Sequence, residues 1–91
     1  MDYTKLKALL EEQERFPHDF TLKFIGLNTP AFLEDVRLLE EAYPALRQQT
    51  QRKSATEANL ALTYLYLAGN ADEIVALLKR VSTIRDVRVI L

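Results

Sequence analysis

The sequence predicts an α+β protein, a ferredoxin-like βαββαβ sandwich with two helices on one face of a four-stranded antiparallel sheet. A short N-terminal helix precedes it. Three observations lead there. Segments of period-two hydrophobicity at Phe20–Ile25 and Ala58–Ala68 are each followed by a capped segment of helical period, and each helix is followed by a further extended segment. These strand, helix and strand starts recur, 20 with 58, 30 with 70 and 46 with 86, at an interval of roughly 40 residues. Right-handed crossovers then place both helices on the same side of the sheet.

From the N-terminus, Leu6, Leu9 and Leu10 among Lys5, Lys7, Glu11, Glu12 and Glu14 describe an amphipathic helix over Thr4–Arg15, stopped before Pro17. Phe20, Leu22 and Phe24 then alternate with Thr21, Lys23 and Ile25, so one face of this strand is strongly apolar and Gly26 ends it. Thr29-Pro30 reads as an N-cap followed by proline at the first helical position, where its missing N–H costs nothing. Phe32, Leu33, Val36, Leu39 and Tyr43 continue at helical spacing to Pro44.

"LRQQTQRK", Leu46–Lys53, is extended by context, and its charge suits a sheet edge, where charge discourages unwanted pairing. "ANLALTYLYLA", Ala58–Ala68, is apolar on both faces and so belongs at the centre of the sheet. Asn70 with Glu73 opens a second amphipathic helix through Ile74, Leu77, Leu78 and Val81. "DVRVIL" closes the chain as a strand whose Val87, Val89 and Leu91 face the helices and whose Arg88 and Ile90 face away.

A chain of 91 residues supports one domain, with residues 1–16 as a helical extension and 17–91 as the core. Its 48% hydrophobic and 27% charged composition is that of a globular protein, and its net charge of -1 gives no general attraction to nucleic acid or anionic membrane. The absence of cysteine excludes disulfides, thiolate catalysis and cysteine metal sites. The N-terminus lacks the pattern of a signal peptide, and the longest apolar run falls well short of a spanning helix, so a cytoplasmic protein is expected.

No residue set names a reaction. His18 is the single histidine, beside Asp19 but without a nucleophile, and one histidine with scattered carboxylates makes neither a general-base site nor a metal site. Glu34, Asp35, Glu40 and Glu41 read as a solvated helix face. We therefore expect a protein that is not an enzyme and uses no cofactor.

Three surfaces remain. The turn "GLNTP" puts the backbone N–H groups of Gly26, Leu27, Asn28 and Thr29 near a helix start, a place that favours anions, although the glycine serves equally well as a left-handed turn. The sheet face away from the helices carries Lys23, Ile25, Ala61, Thr63, Leu65, Leu67, Arg88 and Ile90, partly apolar and partly basic, which suits a protein partner or a second copy of the chain. The N-terminal helix folding over that patch is the alternative. Arg47, Arg52 and Lys53 form a basic cluster at the expected edge, with Lys79, Arg80, Arg85 and Arg88 gathered near the C-terminus. An RNA- or anion-binding role is the competing reading, but recognition of bases needs aromatic side chains on the open face, and here they fall mostly on the helix side. An acylphosphatase of this topology needs an arginine in the loop after the first strand, and "GLNTP" has none.

"FPHDFTLKFIG" resembles the "FP-x-x-F-x-x-K-x-x-G" signature of the small bacterial YbeD-like proteins, a family of unknown function, through Phe16, Pro17, Phe20, Lys23 and Gly26. "KLKALLEE" and "DVRVIL" are similar to the family's two ends. The resemblance covers nearly the whole chain and implies a ferredoxin-like fold similar in shape to ACT domains, the amino-acid-sensing modules of metabolic enzymes. By that analogy a regulatory role is expected, with an effector such as an amino acid at Gly26, Leu27, Asn28 and Thr29, and with pairing through sheet edges or faces.

Overall fold

The strand that is apolar on both faces runs through the interior of the sheet, as its composition demands. In the computed structural model, which describes residues 2–91, β3 (Asn59–Ala68) lies between β1 (His18–Leu27) and β2 (Arg47–Lys53), and β4 (Val87–Ile90) pairs with the far side of β1. Every pairing is antiparallel and the order is β2-β3-β1-β4. The crossover helices α2 (Pro30–Ala42) and α3 (Ala71–Val81) share one core with the inward residues of β1 and β3, which completes the ferredoxin-like α+β fold. β2 is an edge strand exposed along its whole length.

That core is built around three aromatic rings. Phe24 stacks on Tyr64 with centroids 6.0 Å apart and meets Phe32 edge-on at 6.1 Å, geometries in which ring quadrupoles attract. Leu22, Leu39, Ile74, Leu77 and Val81 fill the space around them. Both helices start where the sequence places their caps: Thr29 Oγ1 accepts from the Phe32 N–H at 3.2 Å, and Asn70 Oδ1 accepts from the Glu73 N–H at 3.0 Å.

Gly26 does not end β1. The strand continues to Leu27, and neither glycine of the chain has a positive φ, so a left-handed turn is not what this position requires. The Phe32 ring lies directly over it, and a Cβ there would fall inside the ring's van der Waals envelope. Glycine is needed for a close approach between strand and helix.

The last strand corrects an expectation. Gly26 pairs with Val87 but Ile25 pairs with Val89, so Arg88 is the extra residue of a β-bulge. Beyond a one-residue bulge every side chain changes face. Ile90 therefore packs on the core opposite Phe24 instead of facing away, and Val89, 43% exposed, takes the open side next to Ile25.

The N-terminal helix α1 (Tyr3–Gln13) lies beside α3, on the helix side of the molecule. Asp2 caps it by accepting from the N–H groups of Thr4 and Lys5. Leu6 and Leu10 extend the core margin, Lys7 pairs with Asp72 at 3.0 Å, and the Lys79 ammonium sits 5.2 Å over the Tyr3 ring. Leu9, the third leucine of the expected stripe, is 52% exposed. The helix thus leaves the opposite face of the sheet uncovered.

Candidate functional site

The uncovered face is ordered in rows by the strand registers. Arg52, Ala61, Ile25 and Val89 form one row, and Thr50, Thr63 and Lys23 the next. Arg47, Leu65 and Thr21 follow, and then Leu67 with Asp19. Two apolar strips, Ala61/Ile25/Val89 and Leu65/Leu67, thus flank a central polar row. A shallow depression of about 360 Å³ lined by Lys23, Thr50, Arg52, Ala61 and Thr63 marks the middle, and it shares Arg52 and Ala61 with a neighbouring hollow that reaches Ile25 and Asn59.

The charges on this face are unequally satisfied. Arg47 is held by Asp19 at 2.8 Å. Lys53 lies opposite the buried Leu60, hence on the other side of the edge strand, with Glu57 at 4.0 Å. Lys23 and Arg52 have no carboxylate within ion-pair distance among the described residues. The expected basic cluster is split by register: Arg47 and Arg52 fall on the open face, whereas Lys53 falls on the other side of the edge strand and joins Arg52 only in lining the hollow that reaches Ile25 and Asn59. Arg88 is exposed at the bulge.

The β1–α2 corner is differently committed. The N–H groups of Leu27, Asn28 and Thr29 donate to Asp86 O, Ala58 O and Leu27 O at 2.9, 2.9 and 2.8 Å, and Leu33 N–H donates to Thr29 O. Pro30 has no N–H. Thr29 Oγ1 also donates to Asp86 at 2.6 Å, and the Asn28 amide donates to Glu57 O at 3.1 Å. The corner is a three-way junction tying β1 to the β2–β3 and α3–β4 turns, with its donors spent internally. Those two turns are themselves left-handed, at Glu57 (φ 60°) and Asp86 (φ 64°).

Elsewhere the titratable groups make structural contacts. Asp35, 17% exposed, accepts from Arg85 through one backbone and two side-chain donors at 2.8 to 3.1 Å, and this guanidinium clamp lowers its pKa to about 2. The hollow beside it, lined also by Leu38, Arg80, Thr83 and Ile84, therefore has its carboxylate already engaged. Burial pushes the Tyr64 phenol up, with Glu40 adding to the effect as it accepts the hydroxyl proton at 3.3 Å. His18 stands 3.5 Å from Glu14 and edge-on to Phe16. Among the described residues no group of three His, Asp or Glu side chains is placed to hold a metal ion, and no helix is long and apolar enough to cross a membrane.

Sequence reasoning placed Thr63 on this face but missed Thr50, Asp19 and Val89. The alternation of β1 placed Lys23 correctly, but the partners across the sheet depend on registers and bulges that periodicity does not specify.

Residues 11–91 match a protein family described as "Protein of unknown function (DUF493)". The chain belongs to that family. No curated protein matches it. Among solved structures, this DUF493 chain is similar to the ACT domain from the GTP pyrophosphokinase of Chlorobium tepidum, at 12% sequence identity and a TM-score of 0.62, over 81% of this chain and 97% of that one. The likeness is one of fold, and the unmatched segment of the family comparison, residues 1–10, falls almost wholly in α1.

Proposed function

We propose that this protein is a regulatory or protein-interaction module of the YbeD-like type that works in the cytoplasm, does no catalysis and engages its partner through the open sheet face. The observation that supports this best is the position of α1. A fold with a helix to spare packs it beside α3 and leaves Ile25, Ala61, Leu65, Leu67 and Val89 uncovered around two cations that no carboxylate among the described residues neutralises. Apolar surface left open in this way is a common mark of interaction sites.

Effector sensing at Gly26–Thr29 has the ACT-like fold in its favour, but it requires the corner to release hydrogen bonds it already makes. Anion or RNA binding draws support from Lys23 and Arg52. Against RNA, the rings of Phe20, Phe24, Tyr64 and Tyr66 lie on the core side, so the face lacks a stacking platform.

An amide NMR titration of the whole chain with pooled amino acids, pooled nucleotides and a short RNA separates the three. The interaction-module reading expects no saturable response to any pool. Shifts confined to residues 26–32 with an amino acid would transfer the function to the corner. Shifts along Lys23 and Arg52 with RNA, weakening steeply with salt, would install the anion-binding reading instead.

A further inference from the structure

We propose that the occupant of the open face is an acidic amphipathic helix of a partner protein, seated along the strands with a carboxylate between Lys23 and Arg52. The inference rests on the interaction-module reading and adds the chemistry of the partner.

Charge is the first argument. Asp19 is the one carboxylate in the paired rows of this face among the described residues, and Arg47 already holds it. A second copy stacked face to face would bring two Lys23 and two Arg52 side chains together with nothing to neutralise them. Like charges desolvated against one another cost free energy, whereas a carboxylate reaching the same spot gains charge-assisted hydrogen bonds. The Thr50 and Thr63 hydroxyls in the same depression add donors of the right kind.

Spacing is the second. Along a strand, the Lys23 row lies two residues from the Ile25 row, roughly 6.6 Å, and the Leu65 row lies a further two residues on. Positions i, i+4 and i+8 of a helix advance by roughly 6 and 12 Å along its axis on one face. An apolar residue at i then meets Ile25 and Ala61, an acid at i+4 meets Lys23 and the Arg52 side chain that lines the same depression from the neighbouring row, and an apolar residue at i+8 meets Leu65. The opposite face of the same sheet already accepts two helices in its core.

The test uses the isotope-labelled full chain and a synthetic alanine-based helical peptide with leucines at i and i+8 and glutamate at i+4, alongside a twin carrying lysine at i+4. The glutamate peptide should give saturable amide shifts at Lys23, Ile25, Thr63 and Leu65. Its affinity should fall about tenfold or more in the K23A/R52A double variant, and the lysine twin should bind correspondingly weaker. Equal binding of the two peptides overturns the proposal while leaving the sheet face as the interaction surface. So does the absence of any shift at about 1 mM glutamate peptide, a concentration that would reveal even a weak complex. A dimeric mass by light scattering that Leu65→Asp abolishes would also overturn it, in favour of a second copy. Shifts confined to α1 and α3 would sink the proposal and the sheet-face reading together.

Discussion

On the helix side of the sheet, Leu22, Phe24, Leu60, Leu62 and Tyr64 are each at most 2% exposed, while their neighbours in the same strands, Lys23, Ile25, Ala61, Thr63 and Leu65, look out on the other side. The two faces differ in what constrains them. Inside, volume decides, because a packed ring leaves no room for an extra carbon and a missing one leaves a cavity. Outside, register decides: what matters is which side chains fall in one row, and a substitution there should change recognition more than stability.

The comparison can be broken most directly at Gly26. Replacing it with alanine forces a Cβ against the Phe32 ring and should cost about 1–3 kcal/mol by urea denaturation, as overpacked cores do. Adding Phe32→Leu should recover part of that loss; no recovery would show that backbone freedom, and not the ring, explains the glycine.

Thr29→Ala tests the corner. It removes the cap on α2 and the hydrogen bond to Asp86, and should lower stability by about 1 kcal/mol. A smaller loss accompanied by a changed response to amino acids would argue that Thr29 serves a ligand.

Asp35 tests the charge clamp through pH. Its folded pKa, about 2, lies below the ordinary 3.8, so the clamp stabilises fully at neutral pH, weakens as the unfolded chain begins to protonate near 3.8, and is lost as pH falls through about 2. Asp35→Asn should lower stability at pH 7 and flatten the acid limb over that window, measured by thermal unfolding at several pH values. An unchanged acid limb would place the pH dependence elsewhere.

The smallest effect is expected on the open face. Lys23→Ala and Arg52→Ala touch exposed cations without ionic partners in the described residues and should each shift stability by no more than about 0.5 kcal/mol. A loss of a kilocalorie or more would mean that these side chains brace the sheet, and the contrast between the faces would fail.

Much of the architecture was legible in local pattern. Period two marked β1 and β3, helical spacing marked α2 and α3, and Thr29, Pro30 and Asn70 announced the helix starts, because caps and amphipathic stripes arise from residues within a turn of one another. The candidate face was legible in half: Lys23, Ile25, Leu65 and Leu67 lie where β1 and β3 alternation puts them. Ile90 does not, since the bulge at Arg88 inverts the last strand. Nor does Lys53 share the register of Arg47 and Arg52, because an edge strand without an apolar face carries no period to read.

By itself, then, the sequence determined the element order, the central place of β3, the apolar face of β1 and the two capped crossover helices. All of these follow from short-range periodicity and from what each side chain must bury. Only the tertiary structure decided that Gly26 makes room for Phe32, that α1 joins α3 and leaves the far face bare, and that the corner's donors are spent on neighbouring turns. It also decided that Asp19 neutralises Arg47 while, among the described residues, Lys23 and Arg52 stay unneutralised. The physical reason is shared by the last three: each depends on residues far apart in the chain whose approach is set by register and packing, while Gly26 and Phe32, close in sequence, meet only because strand and helix pack as they do.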